Sequence, residues 1–201
     1  MMLGAMTARA RHCMACGARL GSARVEGRAR RRCPRCGWIF YDNPVPAAVA
    51  IVRGPRGILL ARRARPPHQD TWDLPGGFLE AGEDPEQGLR RELREELGAA
   101  ATAVRFHCFA LDRYGPGGIH ILAMVYVARL RGAPAARSDV AEVRWFALDA
   151  IPWRAIAFPS IIETLRRFPG VREPGRARGG RPGRRGGRAR PRARGRGSSP
   201  W

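Results

Sequence analysis

Residues 76–99 read Gly76-Gly77-Phe78-Leu79-Glu80-Ala81-Gly82-Glu83-Asp84-Pro85-Glu86-Gln87-Gly88-Leu89-Arg90-Arg91-Glu92-Leu93-Arg94-Glu95-Glu96-Leu97-Gly98-Ala99. The stretch divides into a glycine-bearing loop and a helix. Asp84 is a good N-cap, Pro85 suits the first helical position, Gln87 completes a capping box and Gly98 stops the helix, so α-helix is predicted over 85–97. At about 100° per residue from Leu89, Leu93 and Leu97 fall at about 40° and 80° and form a buried stripe. On the same wheel Glu95, Glu92 and Glu96 fall at about 240°, 300° and 340°. Three carboxylates therefore share one stripe, and Glu96 sits at the edge of the core face.

A charge run is usually a solvated helix face, and Arg90, Arg91 and Arg94 offset part of the repulsion here. Carboxylates at i, i+3 and i+4 nevertheless repel by a few tenths of a kcal/mol per pair. A hard divalent cation relieves that cost better, because Mg²⁺ takes oxygen ligands and keeps several waters. Gly76 and Gly77, just before the helix, let backbone come close to a metal or a phosphate.

The segment resembles the Nudix box, G-x5-E-x7-R-E-U-x-E-E-x-G-U, where U is a bulky apolar residue. Gly77, Glu83, Arg91, Glu92, Leu93, Glu95, Glu96 and Gly98 fit the pattern. Ala99 departs from it, being apolar but small, which touches packing more than chemistry. The resemblance implies the α/β class: a Nudix α/β/α sandwich with a mixed central sheet. It also implies Mg²⁺ or Mn²⁺ as cofactor and attack of water on a phosphorus of a nucleoside diphosphate linked to another group. Carried over by position, Glu92, Glu95 and Glu96 are the metal ligands, joined by the Gly77 carbonyl. Arg91 orients a glutamate by a salt bridge, with Glu83 as its partner. The family is not uniform in its general base. A box glutamate is one choice; Glu142, just before a strand at Val143, is another, against the plain reading of a solvated strand-edge residue. Glu80 lies in the box loop, within reach of a metal through water.

Upstream, Cys13-x-x-Cys16 and Cys33-x-x-Cys36 form two pairs separated by 16 residues. Four thiolates so placed close a tetrahedral structural Zn²⁺ site with no open position. Gly17 and Gly37 follow the pairs where a knuckle turn tolerates positive φ. Two disulfides are the alternative, disfavoured in a cytosolic protein. Such a short segment has too little core of its own, so the metal supplies its folding energy. The fifth cysteine, Cys108, lies in a strand pattern and reads as a small buried residue.

The rest of the chain follows a mixed pattern. Strands are predicted at 47–52 and 58–61, joined by Gly54-Pro55-Arg56-Gly57 as a hairpin. Further strands are predicted at 104–111 and 119–130, joined through Gly115-Pro116-Gly117-Gly118, and at 143–147. A short helix is predicted at 160–168, capped by Ser160 and stopped by Pro169. The domain plan is a flexible N-terminus at 1–11, a zinc ribbon at 12–41, a Nudix domain at 42–169 and a disordered tail at 170–201.

The resemblance extends over nearly all of 12–168. The ribbon followed by Phe40-Tyr41-Asp42-Asn43-Pro44 resembles the small zinc-ribbon Nudix proteins. So do Arg62-Arg63-Ala64 with Trp72-Asp73-Leu74-Pro75-Gly76-Gly77-Phe78, then Ile151-Pro152-Trp153 and Ala157-Phe158-Pro159-Ser160. That branch implies ADP-ribose or FAD as substrate. NADH pyrophosphatases also join a ribbon to a Nudix domain, but their S-Q-P-W-P-F-P-x-S signature is missing from 100–120, so NADH ranks below. Nucleoside triphosphates remain a further class. An aromatic slot for a base draws on Phe40, Tyr41, Trp72 or Phe158, each of which also suits a core. Arg62 and Arg63 are candidates for substrate phosphate.

The formal net charge is +20, and every basic residue counted is Arg. Residues 172–196 hold 11 arginines and one acidic residue, Glu173. Self-repulsion and Gly/Pro content predict disorder there, and the tail reads either as functionless or as a weak, nonspecific and salt-sensitive binder of RNA or other polyanions. A non-catalytic RNA-binding protein, using ribbon and tail, is the competing functional class; the complete set of box glutamates argues for the enzyme. No run is long and apolar enough to span a membrane, and no secretory signal is visible, so the expected compartment is the cytosol. The resemblance also allows a homodimer.

Overall fold

The computed structural model describes residues 10–174. The expected arginine-rich tail from 175 onward and residues 1–9 lie outside the described residues. Two sheets form. The first is β1 (Gly21–Val25), β2 (Arg28–Arg32) and β3 (Ile39–Phe40), antiparallel in that order. Leu20, Cys13 and Cys33 are buried beneath it, with Trp38 and Phe40 packed alongside. Leu20 N–H donates to the Arg11 carbonyl at 2.8 Å, so Arg11 belongs to this unit rather than to a free N-terminus.

The second sheet contains β4 (Val45–Gly54), β5 (Gly57–Arg63), β6 (Trp72–Asp73), β7 (Gly76–Phe78), β8 (Ala100–Tyr114), β9 (Ile119–Arg131) and β10 (Val140–Phe146). Its order is β10-β5-β4-β9-β8, with β6 paired to β5 and β7 to β4. β4 and β9 run parallel while the other pairs are antiparallel, so the sheet is mixed. Parallel neighbours need a long crossover. Here the connection from β4 to β9 contains α1 (Pro85–Leu97).

Alternation along the strands distributes side chains to two cores. Ala48, Ala50 and Val52 of β4 pack with Leu59, Tyr126 and Ala128 under Leu89, Leu93 and Leu97 of α1. Ala47 and Ile51 of β4 face the other way, with Ile58, Leu60, Ile121, Ala123 and Val125, onto α2 (Pro159–Arg167) through Ile161 and Leu165. The result is the α/β/α sandwich. No helix among the described residues is long and apolar enough to cross a membrane.

The α1 limits match the sequence reading: the Asp84 carboxylate accepts from the N–H groups of Glu86 and Gln87, and Gly98 closes the helix at φ 62°. The α2 start differs. Pro159 occupies the first turn and Phe158 the cap position, with no side-chain cap. Ser160 is inside the helix, and its N–H donates to Asp112 Oδ2 at 3.2 Å; a carboxylate from β8 does the capping that local sequence assigned to the serine. Packing also runs past residue 169. Arg172 N–H donates to the Leu148 carbonyl at 2.8 Å, and Arg166 Nε and Nη2 both donate to Glu173.

Candidate active site

The box loop crosses the sheet as β7 and turns into α1, so loop backbone and helix carboxylates meet. Gly76 has φ 131°, and a Cβ there would lie 2.2 Å from the Ala48 carbonyl oxygen. Only glycine fits. Gly76 N–H donates to Glu96 Oε2 at 2.9 Å. At Gly77 a Cβ would lie 2.7 Å from the Glu92 carboxyl carbon, so loop and helix are in contact there too.

Arg91 ties the corner together. Its Nε and Nη2 donate to the two oxygens of Glu83 at 2.9 and 3.0 Å, a bidentate pair. Nη1 donates to Glu92 Oε1 at 2.7 Å and to Glu95 Oε2 at 3.3 Å, and Nη2 also reaches the Phe78 carbonyl at 3.0 Å. These bonds hold the Glu83 carboxyl below the usual carboxylate range. The Arg91–Glu83 pairing expected from the sequence is present.

Glu92, Glu96, Glu80 and Asp139 line one cavity of about 360 Å³, along with Gly76 and Gly77. Burial pushes the Glu96 carboxyl well above its ordinary range; the Gly76 N–H opposes this, and Asp139, Glu92 and Asp73 add repulsion. Burial raises Glu92 as well, with Arg91 opposing. Crowded, desolvated carboxylates are the electrostatic signature of a cation site. The donors are all oxygen, which suits Mg²⁺ or Mn²⁺. Glu95 is more exposed and turned to Arg91, and it does not line the cavity.

Aromatic residues line the same cavity. Tyr114 and Phe158 stack with centroids 6.0 Å apart, and Phe78 meets Tyr114 edge-on at 5.3 Å. Arg63 is tethered behind them: Nε donates to the Pro67 carbonyl at 2.8 Å, Nη1 pairs with Asp73 Oδ2 at 3.3 Å, and Nη2 donates to the Tyr114 hydroxyl at 3.2 Å. Burial lifts the Asp73 carboxyl to about 6 even with Arg63 opposing. Arg63 and Phe158 thus reach the cavity. The other four substrate candidates do not. Arg62 is paired with Asp70 and Glu142 on the neighbouring side of β5. Trp72 is core, edge-on to Phe146 at 5.0 Å. Phe40 packs in the ribbon and Tyr41 carries Arg30 over its ring.

Glu142 is not brought to the cavity either. Arg62 and Arg144 hold it from both sides, and β10 pairing sets it opposite Arg62. Asp139, three residues earlier, lines the cavity instead. Sequence reasoning missed Asp139, Tyr114, Phe78 and Asp73. Phe78 stood inside the box loop and Tyr114 directly before the Gly115–Gly118 turn; Asp139 carried no local signal.

The four ribbon cysteines are free thiols whose sulfurs all lie within 4.8 Å of one another. Cys13 and Cys36 sulfurs are 3.5 Å apart, as are those of Cys16 and Cys33. A tetrahedron of 2.3 Å metal–sulfur bonds needs edges of about 3.8 Å, so the cluster fits a metal ion. Gly17 and Gly37 N–H groups donate to the Cys13 and Cys33 carbonyls at 2.9 and 3.0 Å, closing both knuckles.

A family model described as the NUDIX domain matches residues 43–168. The chain belongs to the Nudix family. A Nudix hydrolase structure from Nitrosomonas europaea superposes with a TM-score of 0.65 at 32% identity, covering 78% of this chain and 89% of that one. The NAD-capped RNA hydrolase NudC of Chromobacterium violaceum is 32% identical over 126 residues, 61% of this chain and 45% of that protein. The ADP-ribose pyrophosphatase of Methanocaldococcus jannaschii is 29% identical over 131 residues, 64% of this chain and 77% of that protein. The chain spans about half the length of the NudC proteins it matches.

Proposed function

We propose that this Nudix protein hydrolyses the pyrophosphate bond of a nucleoside diphosphate linked to another moiety, with ADP-ribose or FAD as the first candidates. The observation that carries this reading is a single cavity lined both by carboxylates, Glu80, Glu92, Glu96 and Asp139 among them, and by the Tyr114–Phe158 aromatic pair. Glu92, Glu96 and the Gly77 carbonyl would hold Mg²⁺ or Mn²⁺, with Glu95 and Glu80 as the outer carboxylates. The chemistry such an ion would supply there is neutralisation of the diphosphate and a lowered pKa for an attacking water.

The chain's own groups do the rest. Arg91 fixes Glu92 and Glu83 so that the carboxylates need not reorganise when substrate binds. Gly76 N–H orients Glu96. Asp139 lines the same cavity and accepts the proton of the attacking water, a role for which the sequence offered a box glutamate or Glu142. Phe158 and Tyr114 take a planar base or ring, and Arg63 positions them rather than contacting phosphate. The cysteine cluster holds zinc in a reducing cytosol, as a structural site without an open position.

NADH is a second substrate favoured by one observation, the similarity to NudC. The test is Mg²⁺-dependent release of mononucleotides from ADP-ribose, FAD, NADH and nucleoside triphosphates. Cleavage of a dinucleotide-type conjugate that disappears in Glu92→Gln and Glu96→Gln supports the reading. Activity surviving in both variants, or no turnover of any conjugate with Mg²⁺ or Mn²⁺, overturns it.

A further inference from the structure

We propose that β2 of the cysteine ribbon is a docking surface for single-stranded nucleic acid. Residues 12–41 hold seven arginines and one acidic residue, Glu26. Four thiolates around a divalent ion contribute a net charge of about −2, so the ribbon remains cationic with its metal bound.

The arginines are arranged rather than scattered. β2 reads Arg28-Ala29-Arg30-Arg31-Arg32. Alternation puts Arg28, Arg30 and Arg32 on one face. Their partners across β1 are Val25, Ala23 and Gly21, and Arg32 also stands opposite Ile39 of β3, so nothing acidic interrupts that row. Arg31 stands opposite Phe40, the ring that packs on the cysteine core. The three-arginine row is therefore on the face turned away from that core. None of Arg28, Arg30 and Arg32 has an ion pair with a carboxylate among the described residues. Every second residue of a strand is about 6.6 Å apart, which is comparable with the step between successive phosphates of an extended single strand.

A stacking platform adjoins the row. Tyr41 is 42% exposed. The Arg30 guanidinium lies 4.6 Å from its ring centroid, and Arg30 Nη1 donates to the Tyr41 carbonyl at 3.1 Å. The guanidinium thus covers the ring from one side and holds it in place, while the residue as a whole stays exposed. Arginines that track phosphates beside an exposed aromatic ring are the two parts a sequence-tolerant single-strand site needs. The row is independent of the catalytic reading and uses none of the cavity residues.

The test uses the full chain and a 5′-labelled 12-nucleotide single-stranded RNA, with anisotropy followed across salt concentration. Arg28→Ala/Arg30→Ala/Arg32→Ala should weaken binding at least ~10-fold and lower the slope of log K against log salt by about 2, for three lost phosphate contacts. Lys at the same three positions should restore binding to within about threefold, because charge rather than fork geometry serves a mobile backbone. Tyr41→Ala should weaken binding by about tenfold with the slope unchanged. Unaltered turnover of a small nucleotide conjugate by the triple variant shows that the protein has folded. No binding by the wild-type chain overturns the proposal. So does a triple Ala variant that binds like wild type, which would place binding in the arginines of 172–196. Equal affinity for a duplex of the same length also overturns it.

Discussion

The Glu96 carboxylate lies 2.9 Å from the backbone nitrogen of Gly76, twenty residues away in sequence. With the Arg91 bonds to Phe78 and Glu83, this contact joins the box loop to the box helix. It holds a buried carboxylate on the wall of the cavity, and it requires at position 76 a backbone path that a side chain would block.

Gly76→Ala and Gly77→Ala should therefore differ. At Gly76 the new methyl meets the fixed Ala48 carbonyl, so a loss on the order of 2–3 kcal/mol is expected. At Gly77 it meets only the Glu92 carboxylate, which can rotate; stability should fall less, while activity falls with the displaced ligand. Thermal melts beside turnover numbers decide it. Equal destabilisation at both positions would contradict the loop geometry.

Glu96→Gln should separate stability from activity. Burial and three acidic neighbours raise the Glu96 pKa in the folded chain, so its ionised form disfavours folding near neutral pH. Without divalent metal the variant should melt at a higher temperature than wild type. Adding Mg²⁺ should stabilise wild type and leave the variant unmoved, and turnover should drop by ~100-fold or more. A variant that melts lower in chelator would show that the carboxylate is not under electrostatic stress.

Asp73 gives a pH signature. Its carboxyl is raised from 3.8 to about 6 on folding, so the folded state holds the proton more tightly. The group's stabilising contribution is complete below the unfolded value and is lost as pH rises towards about 6, by roughly 3 kcal/mol in all. Denaturant melts from pH 4 to 7 should show wild type losing stability relative to Asp73→Asn over that window and keeping a constant difference above it. A difference that does not change with pH would refute the assignment.

Arg91→Lys should be a poor substitute. Lysine keeps the charge but cannot make two parallel bonds to Glu83 while also bonding Glu92 and Phe78. A fall of about tenfold in kcat with little change in KM is the expected outcome, measurable in steady-state assays. A change confined to KM would mean that Arg91 meets substrate directly.

The ribbon should depend on its metal. Stripping it with a strong chelator, or replacing Cys33 with Ser, should expose Trp38, which packs on the cysteine cluster, and shift its fluorescence to the red. Cobalt in place of the native ion should show the intense thiolate charge-transfer bands of a four-sulfur site. Retention of the ribbon's fluorescence after complete metal removal would argue that its small core suffices.

By itself the sequence determined the local features. Caps, leucine spacing and Gly98 set α1 to the residue, because capping and amphipathic periodicity are short-range. Knuckle spacing set each cysteine pair for the same reason, and the β1–β2 hairpin between them brought the two pairs together. Tertiary structure alone decided which polar groups share the cavity. Arg62 and Arg63 are adjacent, yet strand alternation sends one to Glu142 and the other to Tyr114. Asp139 enters and Glu142 does not, because β10 pairing with β5 holds Glu142 opposite Arg62. Tyr114 and Phe158 lie 44 residues apart and stack only once β8 and the start of α2 are packed together. Such neighbours depend on strand order and register, which arise from long-range pairing and leave no mark within a short window of sequence.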